Sequence, residues 1–133
     1  FRMVIAGAGI IALEKDRYWM GDDGFMLSAG PFVAALEYAT CKVAAIMGKP
    51  SPAFFLAALE SMAVSPDEAA MIGDDVVTDI GGAISAGLSG VLVRTGKFRE
   101  DVLAAANPKP DLVIGSIADI PRVIHELDRT DTT

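Results

Sequence analysis

Short, mostly apolar runs alternate along this chain with longer amphipathic stretches. Residues 43–47, 69–72, 90–93 and 111–114 show no in–out alternation and read as strands buried on both faces. Helical stretches separate them. Residues 53–62 follow Pro50-Ser51-Pro52, and the stretch after Asp75 carries Val77, Ile80, Ala83, Ile84 and Leu88 on one face and ends at Gly87. Gly81-Gly82 weakens that helix locally but permits close packing on the sheet. Residues 100–106 predict a short helix, Asn107-Pro108-Lys109-Pro110 breaks the chain, and 116–127 closes it with Ile117, Ile120, Val123, Ile124 and Leu127 inward. Strands alternating with helices predict an α/β fold on a parallel sheet.

The first forty residues are patterned differently. Residues 1–5 read as the end of a helix or a strand, and 10–13 as a strand entering a turn. Gly21-Asp22-Asp23-Gly24 is a turn signal between Trp19 and Phe25. Ser28-Ala29-Gly30-Pro31 then starts a helix over 32–40, with Phe32, Leu36 and Ala39 on one face. Gly7-Ala8-Gly9-Ile10-Ile11-Ala12 matches the relaxed dinucleotide pattern GxGxxG/A. A true fingerprint opens a long helix and leads to a strand ending in an acid about twenty residues on. Glu14-Lys15-Asp16-Arg17 and Tyr18-Trp19 follow instead, so the match reads as an ordinary connection. No internal repeat is present.

Bulk properties narrow the classes. At 133 residues, 52% hydrophobic and 22% charged, the chain has room for one domain with a real core. A net charge of -7, without basic runs, argues against nucleic acid as a partner. The single cysteine, Cys41, makes no internal disulfide, fits a reducing compartment and reads as a small core residue. The apolar stretch 3–13 is too short to span a bilayer, and Glu14, Lys15 and Asp16 follow it without a cleavage site. No membrane association and a cytoplasmic location are expected. The chain opens on Phe1 in mid-pattern, which hints at a fragment or a processed product.

Candidate chemistry collects at Ala69-Ala70-Met71-Ile72-Gly73-Asp74-Asp75-Val76-Val77-Thr78-Asp79. A buried strand ends at a glycine, and its acids sit at the carboxyl end, where open α/β sheets place ligands. Asp75 and Asp79 are four apart and share a helix face, so a cation, a lysine or the helix N-terminus must offset their repulsion. Mg²⁺ is the natural ion for one or two carboxylates plus substrate oxygens. Asp is also a common N-cap, and on that feature alone capping and metal binding stand level. Lys49 breaks the tie. It follows the 43–47 strand between Gly48 and Pro50-Ser51-Pro52, so a fixed cation and a carboxylate cluster converge on one sheet edge, as a phosphate site requires. Arg94-Thr95-Gly96-Lys97 leaves the 90–93 strand either towards a ligand or as an ordinary loop, and His125 lies late in the last helix, a C-terminal rather than catalytic position.

With Gly48-Lys49-Pro50 and Gly73-Asp74-Asp75-Val76-Val77-Thr78-Asp79 placed, the chain resembles the haloacid dehalogenase (HAD) superfamily of phosphatases. It looks most like its NagD-like, large-cap subgroup and phospholysine phosphohistidine inorganic pyrophosphate phosphatase-like proteins. Gly30-Pro31-Phe32, Leu36-Glu37-Tyr38-Ala39-Thr40 and Arg94-Thr95-Gly96-Lys97-Phe98 carry the same likeness. The resemblance implies a Rossmann-like, three-layer parallel sheet of which this is the carboxyl-terminal half. Residues 1–25 would be the end of the inserted cap and its return to the core, 26–127 the core portion and 128–133 a polar tail. It implies catalytic roles for Lys49 and Asp79, with Lys49 binding the substrate phosphoryl group, and Mg²⁺ ligation by Asp74 with support from Asp75. The family's nucleophilic Asp-x-Asp-Gly stretch and its second-strand Ser or Thr are missing, and Gly21-Asp22-Asp23-Gly24 does not replace them. The expectation is a Mg²⁺-dependent phosphatase acting on a small phosphorylated substrate through an aspartyl-phosphate, with the isolated chain inactive. Sheet edges left by missing strands favour homo-oligomers. A receiver-like phospho-acceptor is the rival, although Lys49 precedes the acids here where receivers resemble the reverse order. A non-catalytic interaction module is the third reading.

Overall fold

Parallel strands need crossovers, and the helical stretches between the apolar runs supply them. The computed structural model describes the backbone of residues 1–130 and the side chains through Glu126. Strands β5 (Ala70–Gly73), β6 (Ser89–Val93) and β7 (Leu112–Ile114) form a parallel sheet in that order. A second parallel pair joins β1 (Ile11–Ala12) to β4 (Ala45–Ile46), with Ile11 opposite Ala45. Strands β2 (Tyr18–Gly21) and β3 (Gly24–Leu27) make an antiparallel hairpin whose turn is Asp22-Asp23. Helices α1 (Arg2–Ile5), α2 (Ala29–Thr40), α3 (Pro52–Met62), α4 (Gly82–Ser85), α5 (Glu100–Ala105) and α6 (Ile120–Thr130) complete the order. The α/β architecture is therefore as the pattern predicts. Among the described residues β4 and β5 each pair on one side only, and no helix is long and apolar enough to cross a membrane.

The core lies under β6. Ile80 and Leu92 are fully buried and pack with Val76, surrounded by Ile84, Phe98, Val102, Leu103, Ala106 and Val113. Phe55 and Leu59 bury the inner face of α3. The glycine pair serves this helix and not the sheet: a Cβ on Gly82 would lie 2.8 Å from the Phe55 ring and 3.0 Å from Pro50.

Several inward faces differ from the periodic reading, each for a local reason. Residues Val76–Gly81 form a wide π turn in which the Asp79 and Ile80 amides both donate to the Asp75 carbonyl at 3.1 Å. The extra residue shifts the phase, so Val76 turns inward and Val77 outward. Ile117 begins a 3-10 turn (Ile117–Asp119) closed by a Ser116/Asp119 capping box, and α6 restarts the count at Ile120. Ile120 and Val123 are half-buried, whereas Ile117 and Ile124 are exposed. Helix α2 is tied down on one side by Glu37, which accepts from Lys15 at 2.5 Å and from the Ala44 amide at 2.9 Å. Val33 and Leu36 are half-buried, while Phe32, Ala39 and Cys41 are exposed; Cys41 caps the helix at φ 53° and is no core residue. The glycines at 7 and 9 lead into β1, with no helix after them, so the dinucleotide pattern has no structural basis. Helix α6 continues through 128–130, part of the expected tail, and residues 131–133 with the Leu127 side chain lie outside the described residues.

Truncating the central side chain tests this core. Ile80→Ala is expected to lower unfolding stability by about 2–5 kcal/mol, read as a fall in urea midpoint at unchanged slope.

Candidate active site at the strand ends

Four strand ends bring the acids and lysines together. Strand β5 ends at Gly73, and the next residues are Asp74 and Asp75. Asp75 caps the π turn: its Oδ1 accepts from the Val77 amide at 2.8 Å and the Thr78 amide at 3.0 Å. Its Oδ2 meets the Lys97 ammonium at 2.7 Å. Asp79, 3% exposed, accepts from the Lys49 Nζ at 2.6 Å through Oδ1 and from the Asp75 amide at 3.1 Å through Oδ2. A side chain on Gly73 would overlap the Asp79 carboxylate, which explains the glycine at that strand end. Asp74 Oδ2 accepts from the Lys97 amide at 2.9 Å, and Gly96, at φ 60°, leaves room for that carboxylate where a Cβ would not.

Lys49, Asp75 and Asp79 thus form one hydrogen-bonded network, and Asp74 is tied to it through Lys97. Lys49 makes its ion pair with Asp79, not with Asp74. The capping and charge-pairing uses of Asp75, left open by the spacing, both occur. Two residues outside the predicted set join the network. Lys97 Nζ lies 2.8 Å from Asp16 Oδ2, and Asp16 is only 8% exposed. Both follow strands, β6 and β1, so the strand-end argument that singled out Lys49 and Asp74 also covers them. A loop lysine and an acid within a charged run gave no other signal.

Burial works against the Lys97 ammonium, yet the hydrogen bonds and charges of Asp16 and Asp75 carry its pKa above the ordinary lysine value. Burial likewise works to raise the Asp75 carboxyl, but Lys97 and the Thr78 and Val77 amides together pull it below the usual range. Among the described residues, two buried side-chain polar atoms have no partner, Asp16 Oδ1 and Thr78 Oγ1. Asp75 and Thr78 line a cavity of about 200 Å³ together with Lys15, Arg17, Tyr18 and Pro50.

Could these residues hold a metal? Asp75 and Asp79 spend their oxygens on amides and lysines, and Asp74 Oδ1 is the oxygen of the pair outside these bonds. No three His, Cys, Asp or Glu side chains gather around one ion position among the described residues. Mg²⁺ wants octahedral oxygen ligation. The described residues do not make such a site by themselves; Asp74 is the carboxylate with capacity to contribute to one.

The depressed Asp75 carboxyl gives a pH test. A lowered folded pKa stabilises above the unfolded aspartate value, about 3.9, and that contribution is lost as pH falls through the folded value. Asn keeps the capping oxygen but not the charge. The melting-temperature gap between wild type and Asp75→Asn should therefore narrow once pH drops below about 4. A constant gap in thermal unfolding followed by circular dichroism would contradict this.

The chain is similar to several known proteins. A family model described as HAD-hydrolase-like matches residues 46–120. The human haloacid dehalogenase-like hydrolase domain-containing protein 2 is 48% identical over 116 residues, covering 87% of this chain and 45% of that protein. The phospholysine phosphohistidine inorganic pyrophosphate phosphatase of Xenopus laevis is 58% identical over 90 residues, 68% of this chain and 33% of the relative. Among solved structures, a glycerol phosphate phosphatase from Mycobacterium tuberculosis in complex with magnesium superposes with a TM-score of 0.74 at 31% identity, over 86% of this chain and 35% of that one. The chain spans less than half the length of each of these proteins. Match, identity and fold together make it a member of the HAD-like hydrolase family.

Proposed function

We propose that this chain is the carboxyl-terminal part of a Mg²⁺-dependent phosphatase acting on a small phosphorylated substrate. The reaction class is hydrolysis of a phosphoric monoester, inorganic pyrophosphate or a phosphoamide through an aspartyl-phosphate. Family membership and the phosphatase names among its relatives support the hydrolase class. The observation that carries the reading to these residues is the Lys49–Asp79 ion pair, 2.6 Å, at the carboxyl ends of two parallel strands.

The roles follow from what each side chain has free. Lys49 is partly exposed, with Nζ protons beyond the one given to Asp79, and binds the phosphoryl oxygens. Asp79 is buried and fully bonded, so it orients Lys49 and exchanges nothing with substrate. Asp74 supplies a carboxylate oxygen to Mg²⁺, while Asp75, bonded to amides and Lys97, supports its neighbours' position. Bound Mg²⁺ would neutralise phosphoryl charge. The nucleophilic aspartate is not among these 133 residues, so the isolated chain turns nothing over. The acidic balance of -7 leaves nucleic acid out of the partner set.

Phosphate release from p-nitrophenyl phosphate with Mg²⁺ tests both halves. The 133-residue chain should release none above the blank. A longer polypeptide that adds an Asp-x-Asp-Gly stretch should release phosphate and lose about 10²-fold or more in kcat on Lys49→Ala. Robust release by the isolated chain, abolished by Asp74→Asn, would overturn the inactivity; undiminished turnover after Lys49→Ala would overturn the site.

A further inference from the structure

The β2–β3 hairpin stands apart from both parallel sheets. No third strand bonds to it among the described residues, and a two-stranded ribbon is marginal by itself. Its side chains are apolar on both faces yet half open to solvent. Met20 and Phe25 on one face are 42% and 52% exposed, and Trp19 and Met26 on the other are 48% and 50% exposed. Apolar surface collected on one exposed element marks an interaction site. The register shows which edge is available. Tyr18 pairs with Leu27 and Met20 with Phe25, while the Ser28 amide donates to the Arg17 carbonyl at 3.2 Å. Bonding directions alternate along an antiparallel strand, so Arg17, Trp19 and Gly21 turn their peptide groups towards β3, and Tyr18 and Met20 turn theirs outward. Among the described residues no other strand or loop backbone takes those outward groups.

Charge selects what meets that edge. Arg17 precedes β2 and Asp22-Asp23 follow it; all three are exposed, and none is in a salt bridge among the described residues. A strand with a cation at one end and acids at the other is complementary to its own reversed copy. Strand β3 lacks this pattern, since acids precede it and the uncharged Ser28 follows. We propose that β2 pairs antiparallel with β2 of a second copy of this chain, about a two-fold axis at Met20, to make a four-stranded sheet across a homodimer. In that register Met20 meets Met20 of the second copy, and their outward peptide groups bond to each other. Tyr18 meets the turn at Asp22, and Arg17 falls opposite Asp23, twice by symmetry. The contact involves neither the Lys49–Asp79 pair nor the open sides of β4 and β5, so it stands apart from the phosphatase reading.

Sedimentation equilibrium of the 133-residue chain should show a monomer–dimer equilibrium with a Kd of about 100 μM or tighter, in the weak class of a small contact. Arg17→Glu and Asp23→Arg should each raise that Kd about 10-fold, and the two together should restore it. Asp23→Arg lowers the net negative charge of the chain, so its loss of dimer separates local pairing from general repulsion. In a Cys41→Ser background, Met20→Cys should oxidise to a linked dimer, because self-paired residues sit about 5.5 Å apart between Cα atoms, within disulfide reach. Phe25→Cys, on the opposite edge of the hairpin, should stay monomeric. Monomer alone at about 100 μM, a dimer indifferent to both charge reversals, or equal cross-linking from the two cysteine positions overturns the proposal. If a charge reversal unfolds the chain, the cross-linking comparison decides.

Discussion

A carboxylate buried to 3% exposure has to be paid for, and Asp79 is the group around which the rest is arranged. Its charge is offset by the Lys49 ammonium at 2.6 Å and by the Asp75 amide at 3.1 Å. Taking either away would strand a charge in a desolvated place, which costs more than the pair itself contributes. The pair also has an architectural consequence. Among the described residues, Lys49 follows β4, which bonds only to β1, whereas Asp79 follows β5, which bonds only to β6. Two sheets that share no backbone hydrogen bond are thereby joined at their carboxyl ends. Gly73 permits the close approach, since any Cβ there would occupy the carboxylate's space.

A second junction repeats the device from the opposite direction. Asp16, after β1, reaches Lys97, after β6, and Lys97 reaches Asp75, after β5. Residues separated by up to 81 positions meet because parallel strands deliver their exits to one edge. The two lysines divide the labour. Lys49 keeps part of its surface open, while Lys97 is enclosed by its partners.

Much of this was legible in the sequence because strand ends and turn residues act locally. The runs before Gly48, Gly73 and Arg94 read as strands, and the acids and Lys49 after them are where the sheet edge places them. The hairpin at Asp22-Asp23 was equally plain, having turn residues between aromatic neighbours. Helix faces were harder. A single extra residue in the Val76–Gly81 turn, and a 3-10 turn ahead of α6, each reset the 3.6-residue phase, so Val77, Ile117 and Ile124 face out against their period. The exit at Lys97 allowed either a ligand contact or an ordinary loop, and Asp16 escaped for another reason. Nothing local separates a buried ion-paired acid from a solvated one in Glu14-Lys15-Asp16-Arg17; only the tertiary crossing of β1 and β6 does.

The claim that the Lys49–Asp79 pair holds the two sheet ends together meets its most direct test in a double-mutant cycle. Unfolding free energies of wild type, Lys49→Met, Asp79→Asn and the double variant give the coupling. The account predicts a coupling clearly above the about 0.2–1 kcal/mol of exposed pairs, because Asp79 is buried. Single-variant effects that add to within about 0.3 kcal/mol would contradict it.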